Sequence, residues 1–277
     1  MNYDISRRSM LGGLGGLGLG AALPIHSATA DASGAFPAAD DKEAWLKAWI
    51  RVQASLDEQD SLWWYKGRIY AQVGEERPNH ILDLEGTEIY WVRPLGNGEY
   101  SISSRTLTFF KNPGSEEMLE EFTNPYTGER IPVKPNSLGG PDGARYTNEG
   151  MIFSEKIDPT RELRRWNWEW NAAGPHVWLM ASRGMTHAPQ PWLEAMTMLC
   201  RAEDFADPQI RSLRSSFSST YFSPWLGWMD MSGQPGHLIW HSSGCKLNSS
   251  EEVSDGYLER AERLFPGQLT ANPASWD

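Results

Sequence analysis

Three tryptophans at alternate positions, Trp166, Trp168 and Trp170, flank Asn167 and Glu169. A carboxylate set between large rings is a candidate general base, because burial disfavours its charged form and draws its pKa towards neutrality. His176 follows at the start of what reads as a partner strand and is the candidate second proton carrier. Tyr90, Arg105, Tyr126 and Arg183 are candidate donors to a substrate carboxylate, phenol or developing oxyanion. Trp168 and His241 complete the expected substrate-binding set. All of this requires that the polar face of the Trp strand look inward. If the rings form the core instead, Asn167 and Glu169 are solvated, as on most one-sided antiparallel sheets.

Five histidines follow residue 30. His237 and His241 are four apart, which on a helix would chelate one ion, but Gly236 to His241 reads as a strand. Four strand residues span about 13 Å, so the two cannot share a metal. A site built from His176, His187 and one of these two stays geometrically open. The two cysteines, Cys200 and Cys245, form no CxxC pair, which argues against thiolate-held zinc or an iron–sulfur cluster, and they leave one disulfide open. There is no Gly-x-Ser-x-Gly elbow, no His-Glu-x-x-His helix and no dinucleotide fingerprint. No metal and no cofactor is expected, and any chemistry is acid–base work by scattered side chains.

These residues must be positioned by strands. Alternation places Trp166, Trp168 and Trp170 on one face and Arg165, Asn167, Glu169 and Asn171 on the other. Asn171 to Pro175 is a turn signal, and His176 to Met180 can return as a second strand. Upstream, Asp40 or Asp41 caps a helix reaching about Glu58, with Trp45, Trp49, Val52 and Leu56 as its apolar stripe. From Ser61 the period becomes two. Strands are expected over Ser61 to Ala71, His80 to Arg93 and Glu99 to Phe110, the last with Ser101, Ser103 and Arg105 on a face suited to a polar interior. Short strands follow near Met118 to Phe122 and Ala144 to Ser154. Pro191 to Phe205 reads as a helix, with Trp192, Met196, Leu199 and Glu203 on one stripe. Ser215 to Phe222, Trp225 to Ser232 and Gly236 to Leu247 read as strands, and Asp255 to Phe265 as a closing helix.

The first thirty residues stand apart. Ser6 to Leu11 carries a twin-arginine pattern, a weakly apolar stretch runs from Met10 to Ile25, and Ala28-Thr29-Ala30 suits cleavage. Residues 1–30 are therefore expected to be a twin-arginine signal peptide, residues 31–39 a flexible leader, and residues 40–277 a single β-rich domain. The export machinery is one expected partner, and the destination is the periplasm or the cell exterior. The formal net charge is −11, and removal of a segment carrying Asp4, Arg7 and Arg8 leaves −12. That balance argues against nucleic acid and anionic membrane surfaces as partners. No later stretch is long and apolar enough to span a membrane as a helix. Fourteen tryptophans, none before residue 31, supply rigid area and N–H groups suited to holding a ring.

The Trp63-Trp64-Tyr65-Lys66-Gly67 opening, the meander after it, the Asn124 to Glu129 turn and the segment Pro224 to Met231 together resemble a family, Domain of Unknown Function 1838. The resemblance runs from about Trp45 to Pro266 and implies a single exported domain, with no catalytic residues assigned. The segment Lys134 to Asp142 departs from it, being rich in Pro, Gly and Asn where a more regular Asn-Asp-Pro continuation is expected. The residues point to a mainly β fold: one antiparallel, barrel-like (lipocalin-like) domain of about nine or ten strands with flanking helices. The expected function is binding of a small aromatic or hydrophobic molecule, with its transformation by metal-free acid–base chemistry in a lyase, isomerase or hydrolase step. The alternatives are a non-catalytic lipocalin-like carrier and a structural envelope protein.

Overall fold

A computed structural model describes residues 36–185 and 192–276. The expected signal segment lies outside them, as do His187 and Asp277. The first helix, α1 (Lys42–Gln53), starts where Asp41 accepts a hydrogen bond from the Ala44 amide at 2.9 Å. Thirteen strands follow: β1 (Ser61–Gln72), β2 (Asn79–Gly96), β3 (Glu99–Lys111), β4 (Glu121–Thr123), β5 (Arg130–Pro132), β6 (Asn136–Tyr146), β7 (Gly150–Phe153), β8 (Arg164–Arg165), β9 (Glu169–Ala173), β10 (His176–Met185), β11 (Trp192–Arg201), β12 (Ser215–Ser223) and β13 (His237–Lys246). Two further helices, α2 (Ala202–Ala206) and α3 (Asp255–Leu264), complete the regular elements.

Eleven strands form one sheet in the order β8-β7-β6-β3-β2-β1-β13-β12-β11-β10-β9, and β4 pairs with β5 apart from it. Every named pairing is antiparallel. The two edge strands are close in sequence, joined only by residues 166–168. A link that short holds the edges within about 14 Å of each other. Eleven strands laid flat at about 4.8 Å spacing would separate them by about 48 Å, so the sheet curls. The link touches both sides: Trp166 Nε1 donates to the Thr147 carbonyl at 2.8 Å, and Asn167 Nδ2 donates to Ser182 Oγ at 2.6 Å. The hydrogen-bonded ladder does not close, since β8 and β9 do not pair with each other.

Register then sorts each strand into an inner and an outer face. Trp63, Tyr65, Gly67 and Ile69 of β1 stand opposite Glu88, Gly86, Leu84 and Leu82 of β2, and opposite Lys246, Gly244, Ser242 and Trp240 of β13. One core fills the start of this inner face: Leu46, Trp49 and Ile50 of α1 pack with Trp63, Ile102, Leu179 and Met198. A second core fills the other end, where Trp228 and Met229 of a short 3-10 turn and Phe122 of β4 pack on Ile69, Leu84 and Phe110. On the outer face, α3 covers Leu107 and Phe109 through Tyr257 and Ala261. Beneath α3, Lys111 Nζ donates to Glu85 Oε2 at 2.6 Å. Lys246 closes the C-terminal end of α1 by donating to the carbonyls of Arg51, Val52 and Ala54 at 2.8, 3.0 and 2.8 Å. Burial draws its ammonium down to about 7.

Several sequence expectations are corrected. The segment expected to be a helix over Pro191 to Phe205 is helical only from Ala202, in α2; Trp192 to Arg201 is the strand β11, whose inner face carries Trp192, Glu194, Met196, Met198 and Cys200. A helical stripe and a strand face share Trp192 and Met196, and partners on both sides decide for the strand. Trp225 to Ser232 is a 3-10 turn and loop rather than a strand. Lys134 to Asp142 is largely strand, within β6. Residues 166–168 are not paired strand, although their rings share one side as the alternation predicted. Trp166 and Trp168 stack at 4.3 Å with planes 16° apart, Trp168 meets Trp49 at 5.7 Å, and Trp170 meets Trp45 at 5.4 Å. The end of the expected leader already belongs to the fold, with the Phe36 ring on Trp45 and Phe205. Cys200 is buried on the inner face and Cys245 exposed on the outer one, so both are free thiols.

Candidate functional site

Between the two apolar cores the inner face changes character. It carries Gly67, Gly86, Thr106, Thr108, Ser219 and Ser242, whose small side chains cannot fill the space that the curled sheet encloses. Gly86 shows the constraint: a Cβ there would sit 2.4 Å from the Tyr65 ring, which lies across it. The result is a cavity of about 460 Å³. Aromatic rings form one side, with Trp192 and Tyr221 at 5.7 Å, Tyr221 and Trp240 at 5.9 Å, and Tyr65 and Phe217 at 6.1 Å. Leu138, 60% exposed, and the Pro224 to Gly227 segment stand at its rim.

Three charged side chains line the cavity among the described residues: Glu88 of β2, Arg183 of β10 and Glu194 of β11. They come from strands four and five places apart in the sheet, and only its curl brings them together. Arg183 Nε donates to Glu194 Oε2 at 2.7 Å. Burial opposes the Arg183 charge, but Glu194, with Tyr90 and Glu88 nearby, more than offsets it and holds the guanidinium firmly cationic. Glu88 accepts a hydrogen bond from the Tyr90 hydroxyl. Burial raises the Glu88 pKa above the ordinary carboxylate range; Arg183 and the Tyr90 bond oppose the shift, and Glu194 adds to it.

The tyrosines of this layer are neutral donors. Burial pushes Tyr65 and Tyr90 well above the ordinary phenol value, Tyr146 upward, and Tyr221 up to about 12. The Tyr65 hydroxyl hydrogen-bonds Thr108 Oγ1 at 2.8 Å, and Tyr146 donates to Gln53 Oε1 at 3.0 Å. A carboxyl with a raised pKa, set among neutral hydroxyls and rings, is suited to taking or giving a proton. No cluster of three or more His, Cys, Asp or Glu side chains suited to a metal occurs among the described residues.

Of the eight residues singled out from sequence, the polar layer contains two: Arg183 lines the cavity and Tyr90 sits behind Glu88. The expected catalytic pair lies outside the cavity. Glu169 and His176 are both exposed, because the Trp strand turns its rings inward and so turns Glu169 outward. Arg105 faces the outer side, its guanidinium 3.7 Å from the centre of the Trp276 ring. The same face holds Ser103, which donates to the Ala271 carbonyl at 2.6 Å, so this row is covered by the C-terminal segment and lines no interior. His241 is exposed beside Thr220 on the outer face. Tyr126, 38% exposed, packs against Trp225 from outside the cavity. Trp168 instead lines two spaces at the seam between the sheet edges, of about 320 and 530 Å³.

Glu88, Glu194, Tyr65 and Tyr221 were missed. Their signal was present: Leu82, Leu84, Gly86, Glu88, Tyr90 and Val92 alternate along β2, an apolar row broken by one carboxylate. Val177, Leu179, Ala181 and Arg183 make the equivalent row in β10. Glu194 was hidden by the helical reading of β11.

Fold and site together define an antiparallel β protein with a cavity on the inner face of its sheet, lined by aromatic rings and, among the described residues, three charged side chains. The chain belongs to the family described as protein of unknown function (DUF1838), whose model matches residues 58–136 and 179–277. The first matched region holds Tyr65, Glu88 and Tyr90, and the second holds Arg183, Glu194 and Tyr221. No curated protein matches the chain.

Proposed function

We propose that the protein is an exported enzyme that binds a small aromatic or hydrophobic molecule in the 460 Å³ cavity and transforms it by acid–base chemistry, in a lyase, isomerase or hydrolase step. The observation that carries this reading is Glu88: a carboxyl with a raised pKa, facing an aromatic-sided cavity beside a bound Arg183–Glu194 pair. A pure carrier needs an apolar cavity, and three converging charged groups would be a cost to it without a role. In this reading Glu88 exchanges the proton, the hydroxyls of Tyr65 and Tyr221 hold the polar group of the substrate, and the rings hold its apolar part. The curled sheet, bridged by residues 166–168, acts as a barrel-like, lipocalin-like envelope, and the twin-arginine segment directs it to the periplasm or cell exterior.

The test is a titration of small phenolics and related ring compounds against the intrinsic tryptophan fluorescence of the wild-type protein. Trp192 and Trp240 border the cavity, so occupancy should quench or shift the emission. A broad panel without any change would sink the reading. Any turnover found should fall at least 100-fold in Glu88→Gln while ring binding persists, in keeping with loss of one acid–base group.

A further inference from the structure

The charges that line the cavity do not balance. Arg183 is engaged by Glu194 at 2.7 Å, and among the described residues Glu88 has only the neutral Tyr90 hydroxyl as a direct partner. Two carboxylates and one guanidinium leave one negative charge uncompensated whenever Glu88 is ionised. No lysine or histidine lines the cavity among the described residues. The remaining polar lining, Thr106, Thr108, Asn136, Ser219 and Ser242 among it, is uncharged hydroxyl and amide. The rings of Tyr65, Phe217, Tyr221, Trp240 and Trp192 add the negative faces of their π systems, which attract a cation and repel an anion.

From this we infer that the natural ligand carries a protonated amine, which sits against Glu88 and completes the charge balance, while its ring or alkyl body lies along the aromatic side. The inference deepens the proposed function and rests on it, because it takes the same cavity as the binding site. Among the described residues, a carboxylate ligand would find no unpaired cation there, since the one guanidinium that lines the cavity is already paired with Glu194. It would add a second uncompensated charge beside Glu88.

A matched series tests this: 2-phenylethylamine, 2-phenylethanol and 3-phenylpropionate share the ring and approximate length and differ in charge. Binding of each to the full-length wild-type protein, by calorimetry at pH 7 and fixed ionic strength, should show the amine at least tenfold tighter than the alcohol and the acid weakest. Glu88→Gln should bring the amine down to the level of the alcohol. Urea unfolding of Glu88→Gln reports separately that the variant is folded. Equal or tighter binding of the alcohol or the acid in the wild type overturns the inference, as does an amine advantage that survives Glu88→Gln. The wild-type order decides alone if that variant does not accumulate. Binding without charge order leaves the ring-binding cavity standing and removes only the amine. No binding by any of the three overturns both.

Discussion

Replacing Arg183 by Met should be among the costliest single changes at this site, and its energetics report directly on whether the cavity is a low-dielectric space. The substitution removes the only cation that lines the cavity among the described residues and leaves Glu88 and Glu194 together. The Arg183 and Glu194 side chains are 27% and 15% exposed, and both line the cavity. An exposed pair contributes at most about 1 kcal/mol, whereas breaking a fully buried one costs about 3–5 kcal/mol. Arg183→Met is therefore expected to lose about 2–3 kcal/mol, a large share of the stability of about 5–15 kcal/mol usual for a domain. The double variant with Glu194→Met removes the orphaned carboxylate and should be more stable than Arg183→Met alone. Urea unfolding of the four proteins in a double-mutant cycle measures the coupling, expected at about 1.5 kcal/mol or more. Arg183→Met should also regain stability on acidification: Arg183 opposes the upward shift of the Glu88 carboxyl, so its removal lets the folded state take up that proton more readily than the unfolded chain. A loss below about 0.5 kcal/mol with additive effects would show a solvated pair and refute the account of the site.

Three further outcomes are expected. Because burial raises Glu88 above the ordinary carboxylate range, the folded protein keeps a proton there that the unfolded chain has released; stability contributed at low pH should fall as pH rises through that window. Urea midpoints measured from weakly acidic to neutral pH should show that decline, and Glu88→Gln should flatten it; parallel curves would argue that the carboxyl is not buried. Cys245 is exposed, and Cys200 is buried with its thiol pushed up to about 11, so a thiol reagent at neutral pH should modify one group quickly and the second only after unfolding. Two fast thiols, or none without a reductant, would contradict this arrangement. Gly86→Ala should force the Tyr65 ring, 2.4 Å from the added carbon, into the cavity and weaken ring binding at least tenfold by the fluorescence titration; unchanged affinity would mean that Tyr65 does not border the occupied space.

The strand pattern was legible because alternation is a local property. β1, β2, β3, β12 and β13 appear close to where period-two runs of Trp, Tyr, Ile and Val place them. The helical reading of Pro191 to Phe205 holds only from Ala202, in α2; it failed over Trp192 to Arg201 because Trp192 and Met196 satisfy both periods, and the partners that decide between them, β10 and β12, lie elsewhere in the chain. The site was harder to read for a related reason. Glu169 drew attention through its tryptophan neighbours in sequence, yet residues adjacent along a strand point to opposite faces, so the nearest rings in sequence marked the face that Glu169 does not share.

Composition, charge, the period of each strand and the family resemblance were determined by the sequence alone, and so was the choice of Arg183 and Tyr90 as polar groups to watch. Which face of each strand turns inward was decided only by the tertiary structure. A sheet of this length must curl to bury its aromatic face, and that curl carries Glu88 across to Arg183 and Glu194 from strands that a flat sheet would hold about 19–24 Å apart. Burial in the space so enclosed is what perturbs the Glu88 carboxyl, and no spacing along the chain encodes it.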